Sequence, residues 1–123
     1  MLRFVIIEDE AGRAVGFEAS GHAGSSARGK NLSCAAASAL IQTLIGGLSG
    51  ELGLELELKK GKSGFLSCRI EGEPNPALQE QIELLLRVVR RGLDSIAEMD
   101  VTISSVVRTS RQRDVTRSKD YGT

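Results

Sequence analysis

Between Leu78 and Ile96, apolar side chains recur at steps of three and four: Leu78, Ile82, Leu85, Leu86, Val89, Leu93 and Ile96. This long one-sided helix constrains the fold more than any other stretch, because its apolar stripe must lie on a surface of matching length. Its start is marked by EGEPNP, in which Asn75 can cap and Pro76 suits the first helical position. Leu84 and Val88 widen the stripe beyond what one core needs, and a second subunit would account for the excess.

The surface that receives this helix is read from runs of period two. Leu2, Phe4 and Ile6 alternate with Arg3, Val5 and Ile7. After the turn-like EDEAG come Val15, Phe17 and Ala19, which predicts a hairpin. ELGLELELKK alternates strictly, with Leu52, Leu54, Leu56 and Leu58 on one face and Glu51, Glu55, Glu57 and Lys59 on the other. It predicts a half-buried strand with a solvated acidic face. KGKSG then leads to a partner strand in which Leu66, Cys68 and Ile70 share a face, so Cys68 is expected to be a small buried hydrophobe. A final strand is expected over Val101 to Val107.

A first helix is predicted from Ala37, Leu40, Ile41, Leu44, Ile45 and Leu48, with Asn31 as N-cap and Cys34 in the first turn. Gly46, Gly47 and Gly50 loosen its far end. The order is therefore ββαββαβ. It leaves no room for the repeated crossover helices of a doubly wound parallel sheet and predicts an α+β two-layer sandwich with a mostly antiparallel sheet. With three Phe, one Tyr and no Trp, the core has to be aliphatic.

Residues 1–107 read as one domain, and residues 108–123 as a polar basic tail expected to be disordered. Formal charge is zero overall, with the excess of positive charge in the tail. A net-negative body argues against a dedicated nucleic-acid surface, since such affinity comes from clustered Lys and Arg neutralising phosphates. No apolar stretch is expected to span a bilayer, and MLRFVIIEDE turns acidic where a signal peptide would show a cleavage site. The expected location is cytoplasmic, with reduced thiols and no membrane partner.

The chemistry-bearing stretch is GHAGSSARGKNLSCAAASAL, which holds the chain's single histidine, His22, and one of its two cysteines, Cys34. If His22 ends the second strand and Cys34 opens the helix, the glycine-rich segment between them can fold back and bring the two together. Unpaired N–H groups at a helix N-terminus favour a thiolate, and a neighbouring imidazole stabilises it while holding a proton for a leaving amine. The same N–H groups could receive an oxyanion. Gly21, Gly24 and Gly29 would let the segment open and close, and Ala35, Ala36 and Ala37 leave room for a peptide beside the sulfur. Ser38 lies one turn beyond Cys34 on the same face.

The residues leave other readings open. A cysteine at a helix start is often only a buried apolar residue, and a histidine beside a glycine is often a turn residue. The glycine-rich segment before a helix could instead bind an anion or a small metabolite, although it matches neither GxxxxGK[ST] nor GxGxxG. One histidine and two distant cysteines make no tetrahedral zinc set, so no metal or cofactor is expected.

GHA at Gly21 to Ala23, the short glycine-containing stretch, and CAAASAL from Cys34 together resemble the ribosomal-processing cysteine protease family (Prp, YsxB-like). The element order and the length before the tail resemble it too. The resemblance implies a cytoplasmic homodimeric endopeptidase that removes a short N-terminal extension from the precursor of bacterial large-subunit ribosomal protein twenty-seven. It implies Cys34 as nucleophile and His22 as proton donor and acceptor. Ser38 matches the family's serine one turn on, and Gly21 and Gly29 match glycines flanking the mobile loop. The chain departs from the family at Asn31, where an aspartate is common. An amide can cap the helix but supplies no negative charge to an imidazolium. That departure leaves room for a non-catalytic ribosome-associated assembly or binding factor of the same fold.

Overall fold

The computed structural model describes residues 2–21, 32–62 and 64–98, and the backbone of 103–109. Its elements are β1 (Leu2–Glu8), β2 (Ala14–Ser20), α1 (Leu32–Gly46), a π turn (Gly47–Glu51), β3 (Leu56–Lys60), β4 (Leu66–Ile70), α2 (Pro76–Ala97) and β5 (Ile103–Thr109). The expected ββαββαβ order and α+β class are present. The five strands form one sheet in the order β3-β4-β2-β1-β5. Every pairing is antiparallel except that of β1 with β5.

β1 has a strand on each side, and four consecutive residues, Phe4, Val5, Ile6 and Ile7, are buried. The helices cover the face that carries Leu2, Phe4 and Ile6 of β1, Phe17 and Ala19 of β2, and Cys68 of β4. Phe4 and Phe17 stand diagonally across the β1–β2 pair, with ring centroids 5.4 Å apart in a tilted contact. Ala37, Ile41, Leu44 and Leu48 come down from the first helical segment, and Ile82, Leu86, Val89 and Leu93 from α2. α2 begins as expected, with Asn75 Oδ1 accepting from the Leu78 N–H at 2.8 Å and Pro76 in the first position. A Cβ on Gly92 would meet Leu40, and one on Gly47 would meet Leu85, so these two glycines let the helices lie close together.

β2 and β4 approach closely for a similar reason. Gly16 pairs with Arg69, and a Cβ there would run into the Cys68 carbonyl. The β1–β2 register shifts between Ile7 and Glu8, and α2 takes up the backbone groups of Ala14 at this irregularity. Glu83 Oε2 accepts from the Ala14 N–H at 3.1 Å, and Gln79 Nε2 donates to the Ala14 carbonyl at 2.9 Å.

Three expectations are corrected. The strand expected across ELGLELELKK starts only at Leu56, because Gly47 to Glu51 continue the helix as a π turn that places Leu48 in the core. Leu52, Leu54 and Leu56 still pack against the core, while Glu51, Glu55 and Glu57 are exposed and Leu58 is 45% exposed. The last strand is Ile103–Thr109, so it passes the expected boundary at Val107. The rest of the tail lies outside the described residues. The run Leu32–Glu51, 20 residues, does reach the length and composition of a membrane-crossing segment. In this fold one face of it is the sandwich core.

The β1–β2 turn is organised by Asp9. Its Oδ1 accepts from the N–H groups of Ala11 and Arg13, each at 2.9 Å, and its Oδ2 meets Arg13 Nε at 2.9 Å. The Arg13 backbone N–H foremost, then the Arg13 guanidinium and the Ala11 N–H, hold this carboxyl below its ordinary 3.8. A depressed carboxyl contributes stability above its unfolded value and loses it as pH falls through its folded value. Melting temperature measured from pH 6 down to pH 2 is therefore expected to fall less steeply in Asp9→Asn than in the parent. Gly16→Ala is expected to destabilise the fold by roughly 1–3 kcal/mol through the clash with β4. Chemical denaturation checks this, and an unchanged midpoint would refute the close approach.

Candidate active site

The pairings above bring several element ends to one end of the sheet. Ala19 of β2 pairs with Leu66 of β4, and Lys60 of β3 pairs with Leu66 from the other side. The end of β2, the β3–β4 turn and the start of β1 therefore meet, and the first turns of α1 lie over them. Between them is a cleft of about 270 Å³. Leu2, Ala19, Lys60 and Leu66 line it from the strands, Cys34, Ala37, Ser38, Ile41 and Gln42 from α1, and Gly61, Gly64 and Phe65 from the turn. Gly21 lines it as well. Its φ of 82° is in the left-handed region, where glycine turns the chain off the end of β2 without a Cβ clash.

Cys34 is the third residue of α1, in its first turn as expected, and is half-buried against the core with its neighbours Ala35 and Ala36 exposed. Ser38 is exposed one turn further and borders the same cleft. Of the sequence-derived set, the structure thus brings Gly21, Cys34 and Ser38 together. His22, Gly24, Gly29 and Asn31 lie outside the described residues.

Cys34 and Cys68 are both free thiols, and their surroundings differ. Cys68 is 1% exposed, and burial pushes its thiol up to about 11. It is almost wholly protonated near neutral pH and closed to reagents. Among the described residues, no group of three or more metal-ligating side chains comes together.

Reading the sequence alone did not assign Lys60, Gly61, Gly64, Phe65 or Gln42 to this region. The alternation shows the β3–β4 hairpin, but the turn reaches the cleft only because β4 pairs with β2, a contact between distant segments. Gln42 follows from helical spacing, since it lies two turns beyond Cys34 on the face that carries Ser38.

Residues 1–102 match the family described as cysteine protease Prp. The chain belongs to the Prp cysteine protease family. Solved structures agree with this at the level of the fold. The Streptococcus mutans protein SMU.848 is 24% identical, with a TM-score of 0.69 over 89% of this chain and 95% of that one. The essential ribosomal processing protease Prp of Staphylococcus aureus, solved with a covalently linked product peptide, is 20% identical, with a TM-score of 0.72 over 88% of this chain and 100% of that one. The same S. aureus protease with a substrate peptide aligns at 18% identity and a TM-score of 0.69, over 88% of this chain and 100% of that one. No curated protein matches the chain significantly.

The contrast between the two thiols is directly testable. On brief treatment with iodoacetamide at neutral pH, mass spectrometry is expected to find label on Cys34 and almost none on Cys68 until the fold is denatured. Equal labelling of the two in the native protein would contradict the burial of Cys68.

Proposed function

We propose that this Prp-family chain is a cytoplasmic cysteine endopeptidase that removes an N-terminal extension from the precursor of bacterial large-subunit ribosomal protein twenty-seven. The observation that carries this reading is the position of Cys34 in the first turn of α1, half-buried beside a cleft that Gly21 also lines. His22 follows Gly21 directly in the chain. The peptides held by the S. aureus protease support a peptide ligand for a fold of this kind.

In the proposed reaction the Cys34 thiolate attacks the scissile carbonyl, and the carbonyl π pair moves onto oxygen to give a tetrahedral oxyanion. Free N–H groups at the start of α1 stabilise that charge. When the oxyanion collapses the C–N bond breaks, and His22, protonated, donates to the departing amine. This leaves a thioester on Cys34. Water then attacks, with His22 taking its proton, and the C–S bond breaks to release a carboxylate and restore the thiolate. The exposed alanines beside Cys34 leave the approach to sulfur open. The reading includes a homodimer, supported by Leu84 and Val88, which stand 52% and 55% exposed on the outer side of α2.

The test is processing of the host's own ribosomal protein twenty-seven precursor by the purified chain, followed by mass spectrometry. The wild type is expected to release the N-terminal extension. Cys34→Ala and His22→Ala are each expected to slow release by roughly a thousandfold or more. An intact precursor after prolonged incubation with wild type, or processing undiminished in Cys34→Ala, would overturn the reading.

A further inference from the structure

The cleft beside Cys34 is walled mainly by apolar groups, which supply affinity without direction. Charged and polar groups in such a site fix which ligand enters and in what register. Among the described lining residues, Lys60 is the only one of Lys, Arg, Asp or Glu type.

Its position follows from strand alternation. Leu56, Leu58 and Lys60 are paired with Ile70, Cys68 and Leu66, so all three lie on the helix-side face of the sheet. Leu56 and Leu66 pack against the core on that face, and so does Cys34 from above. Lys60 thus occupies the place where a further apolar residue would continue the row. Its aliphatic stem can run along the apolar wall while its ammonium reaches the cleft mouth.

The neighbouring lysine makes the contrast. Lys59 is paired with Ser67 on the opposite face and has Glu57 at 4.0 Å as an ionic neighbour. Among the described residues Lys60 forms no ion pair, and no carboxylate lines the cleft with it. Lys60 is exposed, and an exposed cation at the mouth of an apolar cleft with no counter-charge among the described lining residues complements a carboxylate on the ligand and repels a second cation.

We propose that Lys60 is a specificity residue that selects peptides carrying an aspartate or glutamate where the bound segment crosses the β3–β4 turn. This inference rests on the peptidase reading above for the identity of the ligand as a peptide. An aspartate or glutamate side chain would accept a charge-assisted hydrogen bond from the Lys60 ammonium.

The test separates binding from cleavage. Full-length Cys34→Ala protein, immobilised, is challenged with a pool of short random peptides, and the retained fraction is sequenced. Acidic residues are expected to be enriched about three- to tenfold over the input pool. Adding Lys60→Gln should abolish the enrichment, and Lys60→Glu should turn it toward Lys and Arg. Lys59→Glu, on the opposite face, should leave it unchanged, with melting curves confirming that each variant is folded. No acidic enrichment on the Lys60 protein, or enrichment that survives Lys60→Glu, overturns the assignment. Cleavage by the wild-type chain is followed separately. Acid-selective binding without cleavage faults the peptidase reading alone, and cleavage without charge preference faults the Lys60 assignment alone.

Discussion

The close pairing of β2 with β4 is the contact on which the arrangement of the cleft depends. The two hairpins β1–β2 and β3–β4 are local and could form separately. Joining them into one sheet requires the backbones to approach at Gly16, where the Cys68 carbonyl leaves no room for a side chain. Once joined, the register puts Ala19 opposite Leu66, and the end of β2 arrives beside the β3–β4 turn. The cleft is thus a consequence of sheet register before it is a consequence of any functional residue. The contact is also long-range, so its loop-closure cost is met only when the helices cover the joined sheet.

The helix layer then fixes the depth of Cys34. Ala37, Ile41, Leu44 and Leu48 anchor the first helical segment, and Ala37 lies three residues from Cys34. A cysteine one turn above a buried alanine is close to the core without being sealed in it. Cys68 lies on the sheet itself, beneath the helices, and is sealed. Two residues of the same type therefore differ in accessibility, one half-buried and one sealed, through their distance above the sheet.

Much of this was legible in the sequence, and the physical reasons differ from element to element. α2 was readable at both ends because Asn75 and Pro76 mark its start and its stripe is long. The β1–β2 hairpin was readable from alternation, although β1 turned out buried on both faces. ELGLELELKK misled because leucines at alternate positions fit a strand, while Leu48 behind them could be buried only by extending the helix through Gly47 and Gly50 as a π turn. The candidate site was legible where its chemistry is local, at Gly21, Cys34 and Ser38. Lys60 at the end of β3 and the turn residues Gly61, Gly64 and Phe65 were not, because only the pairing of distant strands brings them to the cleft.

The parallel pairing of β1 with β5 also determines where the polypeptide leaves the sheet. Leu2 lines the cleft at one end of β1, and Glu8 pairs with Thr109 at the other. A seven-residue strand separates these ends by roughly 20 Å. Thr109, where β5 ends, therefore lies at the end of the sheet remote from Cys34. The whole length of β1 thus stands between the two ends of the sheet, so a backbone change near Thr109 begins on ground remote from the cleft entrance.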